Sequence, residues 1–225
     1  MTDSPQKSYL DLNHSKFDID RYDRIGIPEA VYAPGKTPSQ CKEIVTNLLA
    51  ATEQPVIVTR VNETQKELLT KLGPTCVAGT TLTWAHTDCD YRQGVVIISG
   101  GTADQVVVEE CELSLMAMGV EVEVFNDVGV AGIQRLIDVV PEISNNSDVI
   151  AVAGMEASLP TVLAGLIGNP IIAIPTSTGY GASLEGVTAS LSILSSCSPG
   201  INLMGIDNGY GAACAAIRIL GLSGE

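Results

Sequence analysis

The sequence predicts a doubly wound α/β fold, in which a parallel sheet carries helices on both faces. Short apolar runs alternate with amphipathic stretches, and five strand-to-helix passages follow one another in residues 94–225. The run GVVIISGG at 94–101 is continuously apolar, as is typical of a parallel strand buried on both faces. We expect a polar N-terminal arm at 1–28, a small α/β subdomain at 29–93 and the doubly wound domain at 94–225.

The small subdomain is predicted from alternating strand and helix patterns. Strands are expected at 29–34, 55–61 and 75–85, and helices at 37–53 and 62–73. Pro38 marks the start of the first helix, while Asn62 and Gly73 bound the second. The preceding arm is polar and weakly periodic, so we expect it to be ordered only by packing on something else.

In the larger domain each predicted strand leads into a helix. Strands are expected to begin at residues 94, 120, 147, 170 and 200, with helices at 102–119, 133–144, 159–168 and 184–196 and a closing helix within 200–221. Connections of this kind are right-handed crossovers, which place successive strands side by side in one sheet.

Charge and cysteine content exclude several classes of function. Twelve Lys and Arg against 26 Asp and Glu give a net charge of −14, which disfavours nucleic-acid and anionic membrane partners. The six cysteines form no CxxC pair, which favours a reducing, cytoplasmic setting. We find no secretion signal and no uninterrupted apolar run of about 18 residues.

Small or polar turns follow the predicted strands of the larger domain. They read SGGTAD (99–104), NDVGVAG (126–132), AGME (153–156), PTSTGYGAS (175–183) and DNGYGAA (207–213). Ligands of open parallel sheets bind at the carboxyl ends of the strands, and glycine lets backbone N–H groups converge on an anion. Parallel folds also need glycine for tight turns alone. Five such turns together favour a phosphate-bearing ligand, although none is a P-loop or a GxGxxG fingerprint.

Two acidic side chains in these turns could have either a structural or a chemical role. Asp104 taken alone is a typical helix cap, whereas Glu156 is expected to enter an anion-binding pocket, where burial of a carboxylate requires a partner. The sequence has only His14 and His86, both outside the glycine turns, so we expect neither histidine catalysis nor a histidine-ligated metal.

Cys197 lies on a Ser/Pro/Gly turn at the end of a predicted helix, unlike Cys214, which lies inside one. The negative end of a helix disfavours a thiolate. An electrophilic, positively charged substrate would supply the missing activation, so the role of Cys197 depends on the substrate.

Collinear motifs from residue 24 to the end resemble one family. The motifs are RIGIPEAVYAPGKTP (24–38), GGTAD (100–104), DVGVAG (127–132), VAGMEASLPTVLAGL (152–166), PTSTGYGAS (175–183), SSCSPG (195–200) and IDNGYGAA (206–213). The chain resembles the PurE superfamily of aminoimidazole ribonucleotide carboxylases and, more closely, its LarB relatives. This resemblance implies a flavodoxin-like, three-layer α/β/α catalytic domain and a homo-oligomer, from dimer up to octamer, with active sites formed in the oligomer.

The LarB resemblance also implies a reaction. Such an enzyme carboxylates carbon 5 of the pyridinium ring of nicotinic acid adenine dinucleotide with CO2 and cleaves the phosphoanhydride. The products are pyridinium-3,5-biscarboxylic acid mononucleotide and AMP, the first step toward the nickel-pincer nucleotide cofactor. A thiolate must first add at carbon 4 to make the ring nucleophilic. Cys197 matches the family's cysteine for that step, and Glu156 is the candidate base.

Ligand and metal contacts follow from the same resemblance. Mg²⁺ is expected, with Asp104 and Asp127 as candidate ligands, and no organic cofactor is expected. Arg60 is a further candidate for binding the substrate's anionic groups. The expected substrate-binding residues are Arg24, Lys36, Gly101, Thr102, Asp104, Gly129, Val130, Ala131, Gly132, Gly154, Met155, Thr176, Ser177, Tyr180, Gly181, Asn208 and Gly209.

Two other functions stay open. A purine-pathway aminoimidazole ribonucleotide carboxylase or mutase shares the fold, but the family's histidine in the turn that corresponds to AGME is missing from this sequence. A non-catalytic nucleotide-binding module would keep the pocket and have no need of Cys197.

Overall fold

The computed structural model describes residues 8–85, 92–143 and 148–222. The chain divides into two compact units, Met1–Cys89 and Asp90–Glu225. His86 lies outside the described residues. Within the described ranges, no helix combines the length and the apolar character that crossing a membrane requires.

The first unit is a small α/β structure. Its elements are β1 (Tyr9–Asp11), β2 (Lys16–Asp18), α1 (Arg21–Ile25), β3 (Val31–Tyr32), α2 (Pro38–Ala51), β4 (Val56–Thr59), α3 (Glu63–Thr70), β5 (Cys76–Ala78) and β6 (Thr81–Trp84). The four-stranded sheet has the order β3-β4-β6-β5, and only β3 and β4 run parallel. Thr37 and Asn62 cap α2 and α3 with reciprocal capping boxes, because each side chain accepts from a backbone N–H three residues on.

One stretch of this unit differs from the sequence-based expectation. Residues 75–85 form an antiparallel hairpin and not one strand, because Gly79, with φ of 47°, turns the chain back between β5 and β6. The described part of the N-terminal arm is ordered by packing: β1 and β2 form a hairpin whose Phe17 is buried in the core of this unit.

The second unit is the predicted doubly wound domain. Its elements are β7 (Arg92–Ser99), α4 (Gln105–Ala117), β8 (Val120–Phe125), α5 (Ile133–Val139), β9 (Asp148–Ala153), α6 (Ser158–Leu163), β10 (Ile171–Pro175), α7 (Val187–Leu194), β11 (Ile201–Leu203) and α8 (Gly209–Leu222). The described sheet has five strands, all parallel, in the order β8-β7-β9-β10-β11. This is the flavodoxin-like order, so the predicted fold class is confirmed.

Helices cover both faces of this sheet. Leu136 of α5, Leu159 of α6 and Ile193 of α7 belong to one buried cluster with strand residues. On the other face α4 and α8 pack on each other. The buried carboxylate of Glu110 in α4 accepts a 3.0 Å hydrogen bond from the backbone N–H of Tyr210, in the first turn of α8.

Candidate functional site

A cavity of about 390 Å³ lies at the carboxyl ends of the strands of the second unit. The chain passes from β7 to β8 on one side and then to β9 on the other, so the cavity occupies the switch point where ligands of such sheets bind. The lining residues come from the turns after β7, β8, β9 and β10: Gly100, Gly101, Thr102, Ala103, Asp104, Asp127, Gly129, Val130, Ala131, Ala153, Gly154, Met155, Glu156, Ala157, Ser158, Leu159 and Thr178.

Two glycines allow these turns to approach one another closely. A Cβ added to Gly129 would collide with the carbonyl oxygen of Gly100 in the neighbouring turn. One added to Gly154 would lie 2.6 Å from the hydroxyl oxygen of Thr176. The backbone N–H of Met155 donates to the carbonyl of Thr178 at 2.9 Å, which ties the turn after β9 to that after β10.

Strained backbone occurs in the turns that line the cavity. Asp127, Met155 and Ala157 all have φ between 47° and 58°, in the left-handed region that residues other than glycine seldom occupy. Such conformations cost about 1–3 kcal/mol each and persist where the surrounding structure holds them, often at functional sites. Met155 and Ala157 flank Glu156, so the strain fixes the turn that carries the candidate base.

Asp104 is buried at the base of the cavity, and its carboxylate is held by both oxygens. The hydroxyl of Thr176 donates to Oδ1 at 2.6 Å, and the N–H of Gly101 donates to Oδ2 at 3.1 Å. Burial raises the pKa of Asp104 above its ordinary value, against the lowering effect of bonds from Thr176, Gly101 and Thr178; the Asp207 charge raises the pKa further. Asp104 therefore organises the turns around the cavity.

Glu156 lines the cavity but is exposed in a single chain. The hydroxyl of Ser158 donates to its Oε1 at 3.0 Å. We expected Glu156 to be buried and therefore to require a partner for its charge. Because Glu156 is exposed within one chain, that requirement does not arise there. What the structure provides is a carboxylate at the cavity wall, oriented by a neighbouring hydroxyl and available as a proton acceptor.

Asp127 forms an ion pair that the sequence did not suggest. Nη1 of Arg135 lies 2.7 Å from Oδ2 of Asp127, and both side chains are about half exposed. Arg135 was missed because it lies in a helix pattern, beyond the turns that carried the prediction. The scarcity of basic residues in this acidic domain was the signal that could have identified Arg135 as a site residue.

The expected metal ligands are occupied by other partners. Both oxygens of Asp104 accept hydrogen bonds, and Asp127 is paired with Arg135. Across residues 8–85, 92–143 and 148–222, no three or more His, Cys, Asp or Glu side chains are grouped to hold a metal ion. With these partners in place the two carboxylates do not form a ready-made Mg²⁺ site, because Mg²⁺ needs free oxygen ligands. Mg²⁺ itself stays a prediction.

Cys197 is not among the residues that line the cavity of the described chain. It is exposed, on the turn that precedes β11, whereas the cavity lies where parallel strands end. Thr161 of α6 holds this turn: its hydroxyl donates to Ser196 Oγ at 2.9 Å, and its carbonyl accepts from Ser198 Oγ at 3.0 Å. Within one described chain, Glu156 and Cys197 are not brought together in the cavity.

The other expected ligand residues also divide into two groups. Nine of those in the second unit line the cavity with Glu156: Gly101, Thr102, Asp104, Asp127, Gly129, Val130, Ala131, Gly154 and Met155. Thr176 lies behind Asp104, and Ser177 donates its N–H to Asp207 at 2.7 Å. The remaining residues lie outside the described cavity lining: Gly132, Tyr180, Gly181, Asn208 and Gly209.

The distance of β11 from the switch point explains why the last turn does not line the cavity. Asn208 caps α8 by accepting from the N–H of Gly211 at 2.8 Å. A Cβ on Gly209 would lie 2.7 Å from the carbonyl oxygen of Val107, so this glycine serves the packing of α8 on α4. β11 is at the edge of the sheet, two strands away from β9.

Three expected residues belong to the first unit. Arg24 pairs with Asp18, with Nη2 2.6 Å from Oδ2. Lys36 Nζ donates to the carbonyl of Tyr32 at 2.6 Å, and the guanidinium of Arg60 lies over the Tyr32 ring, 5.9 Å from its centroid. Within this unit these cations have protein partners.

Sequence reasoning missed Thr178 and Ser158 as site residues. The hydroxyl of Thr178 donates to the carbonyl of Ala103 at 3.3 Å, and Ser158 contacts Glu156. Thr178 was within a singled-out turn, and Ser158 begins a helix two residues after the acid. Position at the carboxyl ends of the strands was therefore a stronger signal than side-chain charge.

Two family models match the chain. Residues 94–225 match the model described as AIR carboxylase, and residues 9–82 match the LarB/PurE-like N-terminal domain. Because the first match covers more than half of the sequence, the chain belongs to the AIR carboxylase family, whose members are carboxylase-type enzymes with this fold. The second match makes it a LarB-like member of that PurE superfamily.

Two relatives come from Methanocaldococcus jannaschii. An uncharacterized protein is 35% identical over 215 residues, which span 89% of this chain and 82% of the relative. An N5-carboxyaminoimidazole ribonucleotide mutase is 40% identical over 136 residues, which span 58% of this chain and 81% of the relative. The longer similarity therefore extends into the first unit.

Proposed function

We propose that this chain carboxylates nicotinic acid adenine dinucleotide and cleaves its phosphoanhydride, giving pyridinium-3,5-biscarboxylic acid mononucleotide and AMP. The observation that carries the proposal is a glycine-lined cavity at the switch point with Glu156 in its wall, in a chain that also has a LarB-like N-terminal domain. Residues 90–225 contain no histidine, which favours other side chains of this unit for the chemistry.

The proposed carboxylation balances with a thiol and a carboxylate. The Cys197 thiolate adds to carbon 4 of the pyridinium, which neutralises the ring and makes carbon 5 an enamine carbon. Carbon 5 attacks CO2 and forms the new carbon–carbon bond. Glu156 then accepts the carbon 5 proton, the ring electrons return, and the carbon–sulfur bond breaks to release the thiolate. Water cleaves the phosphoanhydride in a separate step.

The position of Cys197 requires a second copy of the chain in this proposal. Cys197 is exposed and outside the cavity of its own chain. In the sequence before it are the exposed apolar residues Leu184, Val187, Leu191 and Leu194, here called the apolar stripe, which are between 44% and 68% exposed. Exposed apolar patches of this kind mark protein interfaces. We propose that association through this stripe brings Cys197 to the Glu156 cavity of a neighbouring copy.

Product analysis tests the proposal directly. The chain is incubated with nicotinic acid adenine dinucleotide, bicarbonate and Mg²⁺, and mass spectrometry follows AMP and the dicarboxylated mononucleotide. We expect both products from the wild-type chain and from Cys214→Ala, a matched control in α8, and neither from Cys197→Ala. Absence of product from the wild type, or full product from Cys197→Ala, refutes the mechanism.

One observation favours a second candidate. The 40% identity to an N5-carboxyaminoimidazole ribonucleotide mutase makes aminoimidazole ribonucleotide chemistry the alternative. The same assay with N5-carboxyaminoimidazole ribonucleotide, followed by formation of the carbon-carboxylated isomer, discriminates the two. Turnover that is insensitive to Cys197→Ala supports the mutase. Nucleotide binding without any product supports a non-catalytic module.

A further inference from the structure

Arg135 is one of few basic residues in the sequence of the second unit. Residues 90–225 contain no lysine and three arginines, Arg92, Arg135 and Arg218. Among the described residues, the cavity lining includes three carboxylates, of Asp104, Asp127 and Glu156, and no cationic side chain. A cavity of that charge repels a phosphorylated ligand unless a cation approaches it.

The ion pair with Asp127 places Arg135 at the edge of the cavity. Arg135 Nη1 lies 2.7 Å from Oδ2 of Asp127, a lining residue, and Arg135 is 46% exposed. Solvent-exposed ion pairs contribute little stability, so this one breaks at low cost. Arg218, by contrast, lies exposed in the second half of α8 and does not line the cavity.

The local backbone holds the two partners in this arrangement. The N–H groups of Asp127 and Val128 donate to the side chain and carbonyl of Ser99, at 3.3 and 3.0 Å, which anchors the turn after β8 to the end of β7. A Cβ on Gly132 would lie 2.7 Å from Nε of Arg135, so glycine at 132 lets the arginine side chain lie across the turn toward Asp127.

We propose that Arg135 is an anion-binding residue of the cavity, whose guanidinium exchanges the Asp127 carboxylate for a phosphate group of the ligand. A guanidinium binds carboxylate and phosphate with the same paired N–H donors, so one side chain serves both. The Gly129–Gly100 approach places the turn after β8 against the turn that carries Thr102, whose N–H and hydroxyl groups suit the same phosphate. The proposal rests on the proposed function only in taking the ligand to be phosphorylated.

Binding of small probes tests the exchange without any carboxylation chemistry. Calorimetry in the presence of EDTA compares ribose 5-phosphate, inorganic pyrophosphate and unphosphorylated ribose for the full chain. We expect Arg135→Gln to weaken binding of the phosphate probes by about 10- to 100-fold, the usual range for a lost charged hydrogen bond, and to leave ribose unchanged. Arg218→Gln is the matched control and retains wild-type affinity. Phosphate affinity of Arg135→Gln within twofold of wild type overturns the proposal.

A second variant separates exchange from a purely structural ion pair. Asp127→Asn releases the guanidinium in advance, so phosphate affinity should rise, by about two- to fivefold. If Asp127→Asn weakens phosphate binding as Arg135→Gln does, the pair is structural and the exchange is wrong. Gly132→Ala keeps both charges but displaces the arginine, and it replaces Arg135→Gln as the decisive variant if the latter fails to fold; we expect the same loss. These probes contain no pyridine, so their result stands whether or not nicotinic acid adenine dinucleotide is a substrate.

Discussion

The hydroxyl of Thr176 donates a 2.6 Å hydrogen bond to Asp104, and both side chains are buried. Asp104 follows β7 and Thr176 follows β10, so this bond passes over the end of β9, which lies between those strands. Asp104 also accepts from the N–H of Gly101. One carboxylate thus joins turns that are far apart in sequence and sets the base of the cavity.

Asp104→Asn should change how stability depends on pH. Burial raises the pKa of Asp104 in the folded chain above its ordinary value of 3.8, so the folded state holds the proton more tightly than the unfolded state. The contribution of Asp104 to the free energy of unfolding therefore falls as the pH rises from 3.8 through the raised pKa. An asparagine cannot ionise. We expect the variant to be more stable than wild type at pH 7, and the difference to vanish as pH falls toward 3.8, in urea denaturation across pH.

Other groups cancel in this comparison. Burial also raises the pKa of Asp148, which is present in both proteins. Thr176→Val is the companion variant: it removes a donor that lowers the pKa of Asp104, so we expect a loss of about 1–3 kcal/mol at pH 7. A variant Asp104→Asn that is less stable than wild type by the same amount at every pH contradicts the raised pKa.

Gly129→Ala should damage both the fold and the cavity. The φ of Gly129 is −59°, which alanine adopts readily, so the effect comes only from the collision of the new Cβ with Gly100. We expect a loss of about 1–3 kcal/mol in the free energy of unfolding and weaker nucleotide binding. Gly168→Ala is the control, because its Cβ would meet no atom within 4 Å. Equal stability of the two variants would show that the turns separate without cost.

Glu156→Gln should remove the proton acceptor and keep the ligand site. If Glu156 is the base, kcat falls by about 10²–10⁴-fold while KM changes little. Ser158→Ala removes only the hydroxyl that orients Oε1, so a smaller fall in kcat, of about tenfold or less, is expected. Steady-state kinetics on both variants separates the change in kcat from the change in KM. A large rise in KM with unchanged kcat would make Glu156 a binding residue.

Leu191→Glu should weaken association between copies of the chain. Leu191 is 60% exposed in the apolar stripe, and a charge there opposes burial against a partner. We expect a smaller species in analytical ultracentrifugation and reduced carboxylation. Ser192→Glu, on the same helix but outside the stripe, is the control.

Mixing two inactive variants tests whether the site is shared between copies. Cys197→Ala retains Glu156, and Glu156→Gln retains Cys197. If neighbouring copies complete each other's sites, mixed oligomers contain some intact sites and recover part of the wild-type activity. Mixtures that exchange subunits but stay inactive would place both residues in one chain.

The fold was predictable because its signals are local. Each buried parallel strand is a continuous apolar run, and helices such as α2 begin at recognisable caps. The β5–β6 hairpin was missed because one apolar stretch contains both strands, and only Gly79 marks the turn. The polar residues before β3 gave no periodicity, although Phe17 is buried there.

The site was only partly predictable because it depends on strand order. The turns after β7, β8 and β9 line the cavity, but the turn after β11 does not, since β11 lies two strands away from β9 and the switch point. Glu156 is exposed between Met155 and Ala157, whose left-handed backbone no sequence pattern predicted. The pairing of Arg135 with Asp127 likewise depends on the path of a turn.

The hydrogen bond between Glu110 and Tyr210 has a consequence for biosynthesis. Its two residues are one hundred positions apart, and the carboxylate of Glu110 is buried where α8 packs on α4. A growing polypeptide that has not yet produced α8 therefore leaves that acid, and the apolar face of α4 around it, open to water. We expect the second unit to reach its native state only after Tyr210 has left the ribosome, so shorter nascent chains should remain protease-sensitive and dependent on chaperones.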